Sequence, residues 1–167
     1  MKLLVTRPLP NAVMQAISPQ FDVTRRDDVT PLTPAAAQRA LAEYDAILPT
    51  LGDPFDAAAF AGAQPPRCKI LANFGVGYNH IDVAAASAHG VVVTNTPGAV
   101  TDATADIAVM LMLMSCRRAG EGERMVRAGD WAGWHPTQML GLHMTGKTVG
   151  IIGMGRIGQA IAQRCRL

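Results

Sequence analysis

A glycine-rich turn near the end of the chain has the residue types and spacing of a phosphate-binding loop. The run from Lys147 to Gly158 includes glycines at positions 153, 155 and 158. In such a turn the first glycine permits a tight bend, the second lets the backbone approach a pyrophosphate, and the third lets the next helix pack closely on the strand. The N–H groups at the start of that helix would then bind phosphate oxygens.

The residues on both sides of this turn supply the context that the motif needs. Residues 149–152 are rich in β-branched side chains, which favours a short buried strand. After the glycines, apolar residues recur at helical spacing; they are Ile157, Ala160, Ile161 and Cys165. The order of strand, turn and helix predicts the opening of a βαβ unit that binds a dinucleotide. The alternative is that the glycines only close a turn.

A second candidate site is the glycine-flanked loop from Asn73 to Asp82. It follows a predicted strand, and open α/β sheets bind ligands beyond the carboxyl ends of their strands. Glycines at positions 75 and 77 let consecutive backbone N–H groups point the same way, which suits a small carboxylate. A plain strand-to-helix turn explains the same spacing, and the residues alone leave that alternative open.

The histidines offer no clear catalytic base. His80 is predicted to lie in the first turn of a helix, which is typical of a structural histidine, and His89, His135 and His143 have no visible acidic partner. The three cysteines are far apart and lie in or beside apolar runs, which is typical of buried thiols in a reducing compartment. Because no C-x-x-C motif or Cys/His cluster is present, we expect no structural metal.

The composition excludes several classes of protein. The formal net charge is only +2 and the arginines are scattered, so we expect no nucleic-acid partner. The first apolar run is too short for a signal peptide. The apolar run at 107–114 falls well short of the ~20 residues of a membrane helix. We therefore expect a cytoplasmic protein with no membrane partner.

The elements that must position these sites alternate between strands and helices before residue 98. Strands are predicted at 3–5, 21–24, 46–48, 68–74 and 91–94. Helices are predicted at 10–17, 34–41, 55–60 and 80–88, with Thr33 as the cap of the second. This alternation predicts an α/β domain whose parallel sheet is covered on both faces, a five-stranded doubly wound domain.

The turn residues 95–98 mark the predicted domain boundary, so that residues 1–98 form one domain and 99–167 begin another. The helix predicted at Thr101–Cys116 is apolar all round at 107–114, so it must be buried on every side. A core helix and a subunit interface explain this pattern equally well.

The glycines at positions 120 and 122 each cost ~1 kcal/mol inside a helix. We therefore expect the helix that begins at Thr101 to kink or to restart before Arg124. Trp131 and Trp134 are predicted to lie in the loop that precedes the glycine-rich turn.

Five motifs, in order along the chain, resemble the D-2-hydroxyacid dehydrogenase family, and within it the glyoxylate and hydroxypyruvate reductases. They are Phe74–Asp82, Val93–Gly98, Thr101–Asp106, Val126–Trp131 and Gly146–Gly158. The resemblance implies a flavodoxin-like substrate domain that is interrupted by a Rossmann cofactor domain, with the active site in the cleft. The resemblance implies hydride transfer between NAD(P)H and a small 2-keto or 2-hydroxy acid.

The resemblance also implies roles for particular residues. The backbone of Val76 and Gly77 would hold the substrate carboxylate, and Leu51 would line the substrate pocket. The residues that would bind the cofactor are Val76, Thr104, Gly153, Gly155, Arg156, Ile157 and Gly158. The residue that distinguishes NAD from NADP lies about 20 residues after the glycine turn. That position is beyond Leu167, so the expected cofactor is NAD or NADP without distinction.

The resemblance further implies a homodimer through the helix Thr101–Cys116, with Trp134 able to reach toward the neighbouring active site. Asn79 stands where the family often has Asp. The family's catalytic Arg, Glu and His would lie beyond Leu167, so we assign no catalytic residue and expect the chain to be an inactive N-terminal fragment. The alternative is a non-catalytic module that binds a ligand or dimerises.

Overall fold

The structure, a computed structural model, describes residues 1–63 and 65–166. The chain divides into two compact units, Met1–Pro97 and Gly98–Leu167.

The first unit is built on a sheet of five parallel strands. In chain order these are β1 (Lys2–Val5), β2 (Asp22–Arg25), β3 (Ala46–Leu48), β4 (Ile70–Ala72) and β5 (Val92–Thr94). Their spatial order is β2-β1-β3-β4-β5, and every neighbouring pair is parallel. This is the flavodoxin-like order of a doubly wound sheet, which confirms the predicted fold class.

Helices cover both faces of this sheet. They are α1 (Asn11–Ile17), α2 (Pro34–Glu43), α3 (Ala57–Gly62) and α4 (Val83–Ala88). Alternate strand residues enter two separate cores because successive side chains of a strand point to opposite faces. Leu4 and Ile47 pack with Leu41 of α2 on one face, whereas Leu3 and Val5 meet α1 on the other.

The start of α4 differs from the prediction. The helix begins at Val83 because the Asp82 side chain accepts a hydrogen bond from Ala85 N, 2.9 Å away, and so caps it. His80 therefore precedes the helix, and its expected place in a first helical turn was wrong. Thr33 caps α2 as predicted, by accepting from Ala36 N at 3.2 Å.

The described residues of the second unit form three helices joined by loops, and no strand. They are α5 (Thr101–Cys116), α6 (Ala119–Ala128) and α7 (Arg156–Arg164). The predicted bounds of α5 are confirmed. The predicted restart before Arg124 is confirmed, since α6 begins at Ala119 after a break at Arg118, which is left-handed with φ 54°. The two glycines do not cause the break, because α6 runs through both of them.

Within this chain the helix α5 is not buried on every side. Ala105 is its one buried residue, while Ile107 and Leu111 are 52% and 54% exposed. Within this unit it contacts α6 and, more extensively, α7, whose Arg164 pairs with Asp106 at 2.6 Å. These two helices do not surround a helix that is apolar all round, so several of its apolar side chains stay exposed.

Residues 149–152 do not form the predicted buried strand. A strand requires a hydrogen-bonded neighbour, and the described residues of the second unit provide none. Ile152 is fully exposed. The turn and the helix after it nevertheless form as predicted, because the cap at Gly155 and the start of α7 at Arg156 depend on local geometry.

The expectation of buried thiols holds for one cysteine. Cys68 is buried, whereas Cys116 and Cys165 are half-buried, and all three are free thiols. Within the described residues, no helix has the length and hydropathy needed to cross a membrane.

Candidate functional site

The loop that follows β4 lies at the carboxyl edge of the sheet, beside the loop that follows β3. Phe74 N donates to Pro49 O at 2.9 Å, and Phe74 forms a parallel bridge with Thr50. Leu51, which comes next in the chain, is 69% exposed at this edge. The structure therefore brings Leu51 to the same edge of the first unit as Val76 and Gly77.

All three carbonyl groups of the loop 75–77 accept hydrogen bonds. The Asn73 side-chain amide donates to Gly75 O at 3.1 Å and to Gly77 O at 2.9 Å. The Asn95 side chain donates to Val76 O at 2.8 Å. The backbone oxygens of the loop are therefore held by side chains that follow β4 and β5.

Two backbone N–H groups of the same loop, unlike its carbonyl groups, have no hydrogen-bond partner among the described residues. Among the described residues, neither Val76 N–H nor Gly77 N–H has a hydrogen-bond acceptor, and both residues are exposed. Two adjacent unpaired donors at the carboxyl end of a sheet can bind the oxygens of an anion. This geometry suits the small carboxylate that the glycine spacing predicts.

His80 and Asn73 form a pair beneath this loop. His80 Nε2 lies 3.1 Å from Asn73 Oδ1, and Asn73 is only 2% exposed. Burial lowers the pKa of His80; the charge of Asp53 opposes this effect, and that of Arg7 adds to it. The neutral ring is therefore favoured.

A buried carboxylate supports the loop that follows β3. Asp53 is fully buried and accepts hydrogen bonds from Thr6 Oγ1 at 2.6 Å and from Thr50 N at 2.9 Å. Arg7 pairs with Asp53 at 3.4 Å and donates to Leu51 O at 3.1 Å. This network connects the ends of β1 and β3 at the edge that carries the loop.

Reasoning from the sequence missed Asn73, Asn95 and Asp53. The two asparagines carried a usable signal, since each comes directly after a predicted strand or at its end, where side chains converge at the carboxyl edge. Asp53 carried none, because its partners Thr6, Arg7 and Leu32 are distant in the sequence.

The glycine turn of the second unit has the geometry of an anion site. Gly153 has φ +95°, which residues with a side chain rarely adopt, and a Cβ on Gly158 would collide with the Gly153 carbonyl. A Cβ on Gly155 would meet no heavy atom within 4 Å, so space remains beside the backbone there. The residues present therefore fit a bound pyrophosphate.

The start of α7 provides donors for such a group. Gln159 N donates to Gly155 O at 2.9 Å, which is the first helical hydrogen bond. The N–H groups of Arg156, Ile157 and Gly158 have no acceptor among the described residues. Such N–H groups at a helix start are an anion-binding arrangement.

Thr104 is exposed on the first turns of α5, in the same unit as the glycine turn. Its neighbours Asp102 and Asp106 both pair with Arg164, at 3.0 and 2.6 Å, and so connect α5 to α7. The predicted site residues thus form two groups: Leu51, Val76 and Gly77 in the first unit, and Thr104 with the turn in the second.

Two of the remaining histidines have local contacts. His89 Nδ1 lies 2.8 Å from Ala85 O, and its ring stacks on Phe60 with centroids 5.7 Å apart. His135 is exposed and contacts Thr137 Oγ1 at 3.2 Å. In the part of the chain that the structure describes, no three His, Cys, Asp or Glu side chains cluster in a way that could hold a metal ion.

Comparison with known proteins relates this geometry to characterised families. The chain is 40% identical over 169 residues to a glyoxylate reductase from Pyrococcus horikoshii, covering 99% of this chain and 50% of that protein. It is 39% identical over 165 residues to a glycerate dehydrogenase from Hyphomicrobium methylovorum, covering 99% and 51%. The chain thus spans about half the length of the curated relatives it matches.

A solved structure shows the same similarity to dehydrogenases. A protein from Polaromonas sp. JS6 66, named as an NAD-binding D-isomer specific 2-hydroxyacid dehydrogenase, superposes with a TM-score of 0.91 at 41% identity. The match covers 99% of this chain and 51% of that one. The family model for the catalytic domain of D-isomer specific 2-hydroxyacid dehydrogenases matches residues 3–165. As the five motifs predict, the chain belongs to the D-isomer specific 2-hydroxyacid dehydrogenase family.

Proposed function

We propose that this chain forms the substrate-binding unit and the beginning of the cofactor-binding unit of an oxidoreductase. The reaction is hydride transfer between NAD(P)H and a small 2-keto or 2-hydroxy acid, with glyoxylate or hydroxypyruvate as the substrate. Relatives named glyoxylate reductase and glycerate dehydrogenase support this substrate class. In this proposal residues 1–98 are the substrate domain and 99–167 the dimer helix with the first part of the cofactor domain.

The observation that carries the proposal is the pair of exposed N–H groups at Val76 and Gly77, which have no acceptor among the described residues. Hydrogen bonds to a charged carboxylate contribute about 1.5–3 kcal/mol each. Two such bonds correspond to dissociation constants around the millimolar range. Leu51, exposed at the same edge, would pack against the carbon atoms of a small substrate.

The proposed cofactor site is the glycine turn. The unpaired N–H groups at Arg156, Ile157 and Gly158 would hold the pyrophosphate, and the space beside Gly155 would admit it. We propose that Thr104 and Val76 complete the contacts with the cofactor. The nicotinamide, when bound, supplies or accepts the hydride.

We assign no catalytic acid or base within these 167 residues. His80 is engaged beneath the loop with Asn73, at 3.1 Å, rather than presented beside Val76. The Arg, Glu and His that the family uses match no position of this chain. The proposal therefore includes that the 167-residue chain alone binds a carboxylate but does not turn it over.

Two further features belong to the proposal. We propose that the chain forms a homodimer through α5, because its apolar residues Met110 and Leu113 are 44% and 46% exposed. Trp134, 80% exposed, would then reach toward the neighbouring subunit. The three free thiols support a cytoplasmic location, since disulfides are rare there.

Carboxylate binding is tested by titrating the ¹⁵N-labelled chain with oxalate, a stable dicarboxylate, while following the amide signals. We expect saturable shifts at Val76 and Gly77 with a dissociation constant of about a millimolar. Chloride at equal ionic strength is the control. An absence of movement at Gly75–Gly77 would contradict the proposed substrate site.

Turnover is tested separately by following NADH or NADPH absorbance with glyoxylate. The 167-residue chain should give no turnover. A polypeptide that also carries the half of a family dehydrogenase that this chain does not span should give turnover. Activity of the verified 167-residue chain would show that a catalytic acid exists among its histidines.

A further inference from the structure

We infer that Asn73 and His80 are positioning residues that orient the backbone of the loop 75–77 for anion binding. The inference rests on the proposed function of that loop and goes beyond it, since neither side chain touches the proposed ligand. Asn73 holds the carbonyls of Gly75 and Gly77 on the inner side of the loop, and His80 holds Asn73 in the orientation that this requires.

The orientation of the Asn73 side chain follows from its partners. Gly75 O and Gly77 O can only accept hydrogen bonds, and both lie within 3.1 Å of the Asn73 Nδ2 atom. Turning the amide over would place an oxygen against two carbonyl oxygens, which is repulsive. The Nδ2 group must therefore face the loop, and the Oδ1 atom must face His80.

The tautomer of His80 follows in turn. Asn73 Oδ1 only accepts, so His80 Nε2, 3.1 Å away, must carry the proton and donate it. The neutral ring then has its lone pair on Nδ1, which is buried and has no partner among the described residues. Burial lowers the pKa of His80, so this neutral tautomer is the form expected near pH 7.

The pair sits on a rigid support. Asn73 N donates to Thr94 O at 2.9 Å, continuing the pairing of β4 with β5, and His80 O accepts from Phe55 N at 3.0 Å. Both residues are thus attached to the sheet edge on either side of the loop. A loop whose carbonyls are held in advance loses less freedom when its N–H groups bind an anion.

The first test measures the tautomer in the free protein, without any ligand. Nitrogen-15 chemical shifts of the His80 ring at pH 7.5 should show a protonated Nε2 and an unprotonated Nδ1. A proton on Nδ1, or an equal mixture of the two tautomers, would overturn the inference. This measurement does not depend on whether the loop binds a carboxylate.

The second test measures oxalate affinity in the 167-residue chain. Asn73→Ala and His80→Ala should each weaken binding about five- to tenfold, the size of one lost hydrogen bond. His80→Gln should restore affinity, because its amide nitrogen can take the place of Nε2. His143→Gln, at an exposed histidine, is the matched control and should change nothing.

The outcomes separate the two proposals. If oxalate does not shift the amide signals of Val76 and Gly77 in the unsubstituted chain, the proposed function of the loop fails. The tautomer measurement alone then decides whether His80 pairs with Asn73 as inferred. If the unsubstituted chain binds and His80→Ala binds equally well, the positioning role is wrong. Urea unfolding of each variant distinguishes weaker binding from a loss of fold, and the failure of His80→Gln to rescue a folded protein would also contradict the role.

Discussion

The Thr6 hydroxyl donates a 2.6 Å hydrogen bond to the carboxylate of Asp53, and both side chains are fully buried. The two residues are 47 positions apart, so this bond joins the end of β1 to the loop after β3. Leu32 N and Thr50 N each donate to the same carboxylate at 2.9 Å. One carboxylate therefore holds together the loops at the edge of the sheet that carries the proposed substrate site.

Asp53→Ala should destabilise the protein by about 3–5 kcal/mol, because Arg7 would lose its buried partner and four other donor groups would lose their acceptor. The free energy of unfolding in urea measures this. Asp27→Ala is the control: Asp27 is 78% exposed in its pair with Arg25, and such surface pairs contribute about 0–1 kcal/mol. Equal effects of the two substitutions would contradict the structural role of Asp53.

Gly158→Ala should disturb the start of α7, because the added Cβ would collide with the Gly153 carbonyl. Overpacking of this kind costs about 1–3 kcal/mol. Gly155→Ala is the matched control, since a Cβ there meets no heavy atom within 4 Å. Circular dichroism and urea unfolding should show a loss of stability for the first variant only; similar stability of the two would show that the close approach is not required.

Cys68 should resist alkylation in the folded protein. It is buried, and burial raises the pKa of its thiol from 9.0 to about 11, so little reactive thiolate exists at pH 8. Cys116 and Cys165 are half-buried and should react first with iodoacetamide. Mass spectrometry of tryptic peptides gives the order of labelling, and in denaturant all three should react alike. Rapid native labelling of Cys68 would contradict its placement in the core.

The contribution of Asp45 to stability should depend on pH. Hydrogen bonds from Arg67 at 2.7 Å and from Lys2 N at 2.7 Å lower the pKa of Asp45 from 3.8 to about 2. Because the folded pKa is lower than the unfolded one, the contribution is present above pH 4 and is lost as the pH falls from about 4 to about 2. The difference in unfolding free energy between the unsubstituted chain and Asp45→Asn should shrink over that interval. A constant difference would show that the ion pair does not form.

The proposed dimer predicts that an acidic residue on α5 will reduce self-association. Leu111, 54% exposed, lies in the middle of its apolar surface, so Leu111→Glu should convert a dimer to a monomer in light scattering coupled to size exclusion. Val29→Glu is the control, at a residue 73% exposed in the first unit. A dimer that persists in Leu111→Glu, or a monomeric unsubstituted chain, would place the interface elsewhere or exclude it.

Much of the secondary structure was predictable from local patterns. The bounds of β3 and α5 and the cap at Thr33 are as predicted. These features depend on side chains a few residues apart: apolar runs, a capping hydroxyl and a proline at the first helical position. Alternation of strands with helices then allows few topologies, so the parallel doubly wound sheet followed from order alone.

Two of the differences share a physical cause, which is that they concern partners distant in the sequence. Residues 149–152 have the composition of a strand, but a strand forms only against another strand. The apolar surface of α5 predicts burial, yet burial depends on what lies around the helix. Composition records what a segment can pair with, and it does not record whether the partner is present.

The candidate site shows the same division. Glycines at 75, 77, 153, 155 and 158 marked both loops from the sequence alone, because backbone groups that approach a ligand need neighbours without side chains. Only the tertiary structure decided which way those backbone groups point. Asn73 and Asn95, each at the end of a different strand, engage the carbonyls of one loop, while the N–H groups of Val76 and Gly77 have no acceptor among the described residues. That arrangement exists only because two parallel strands end side by side.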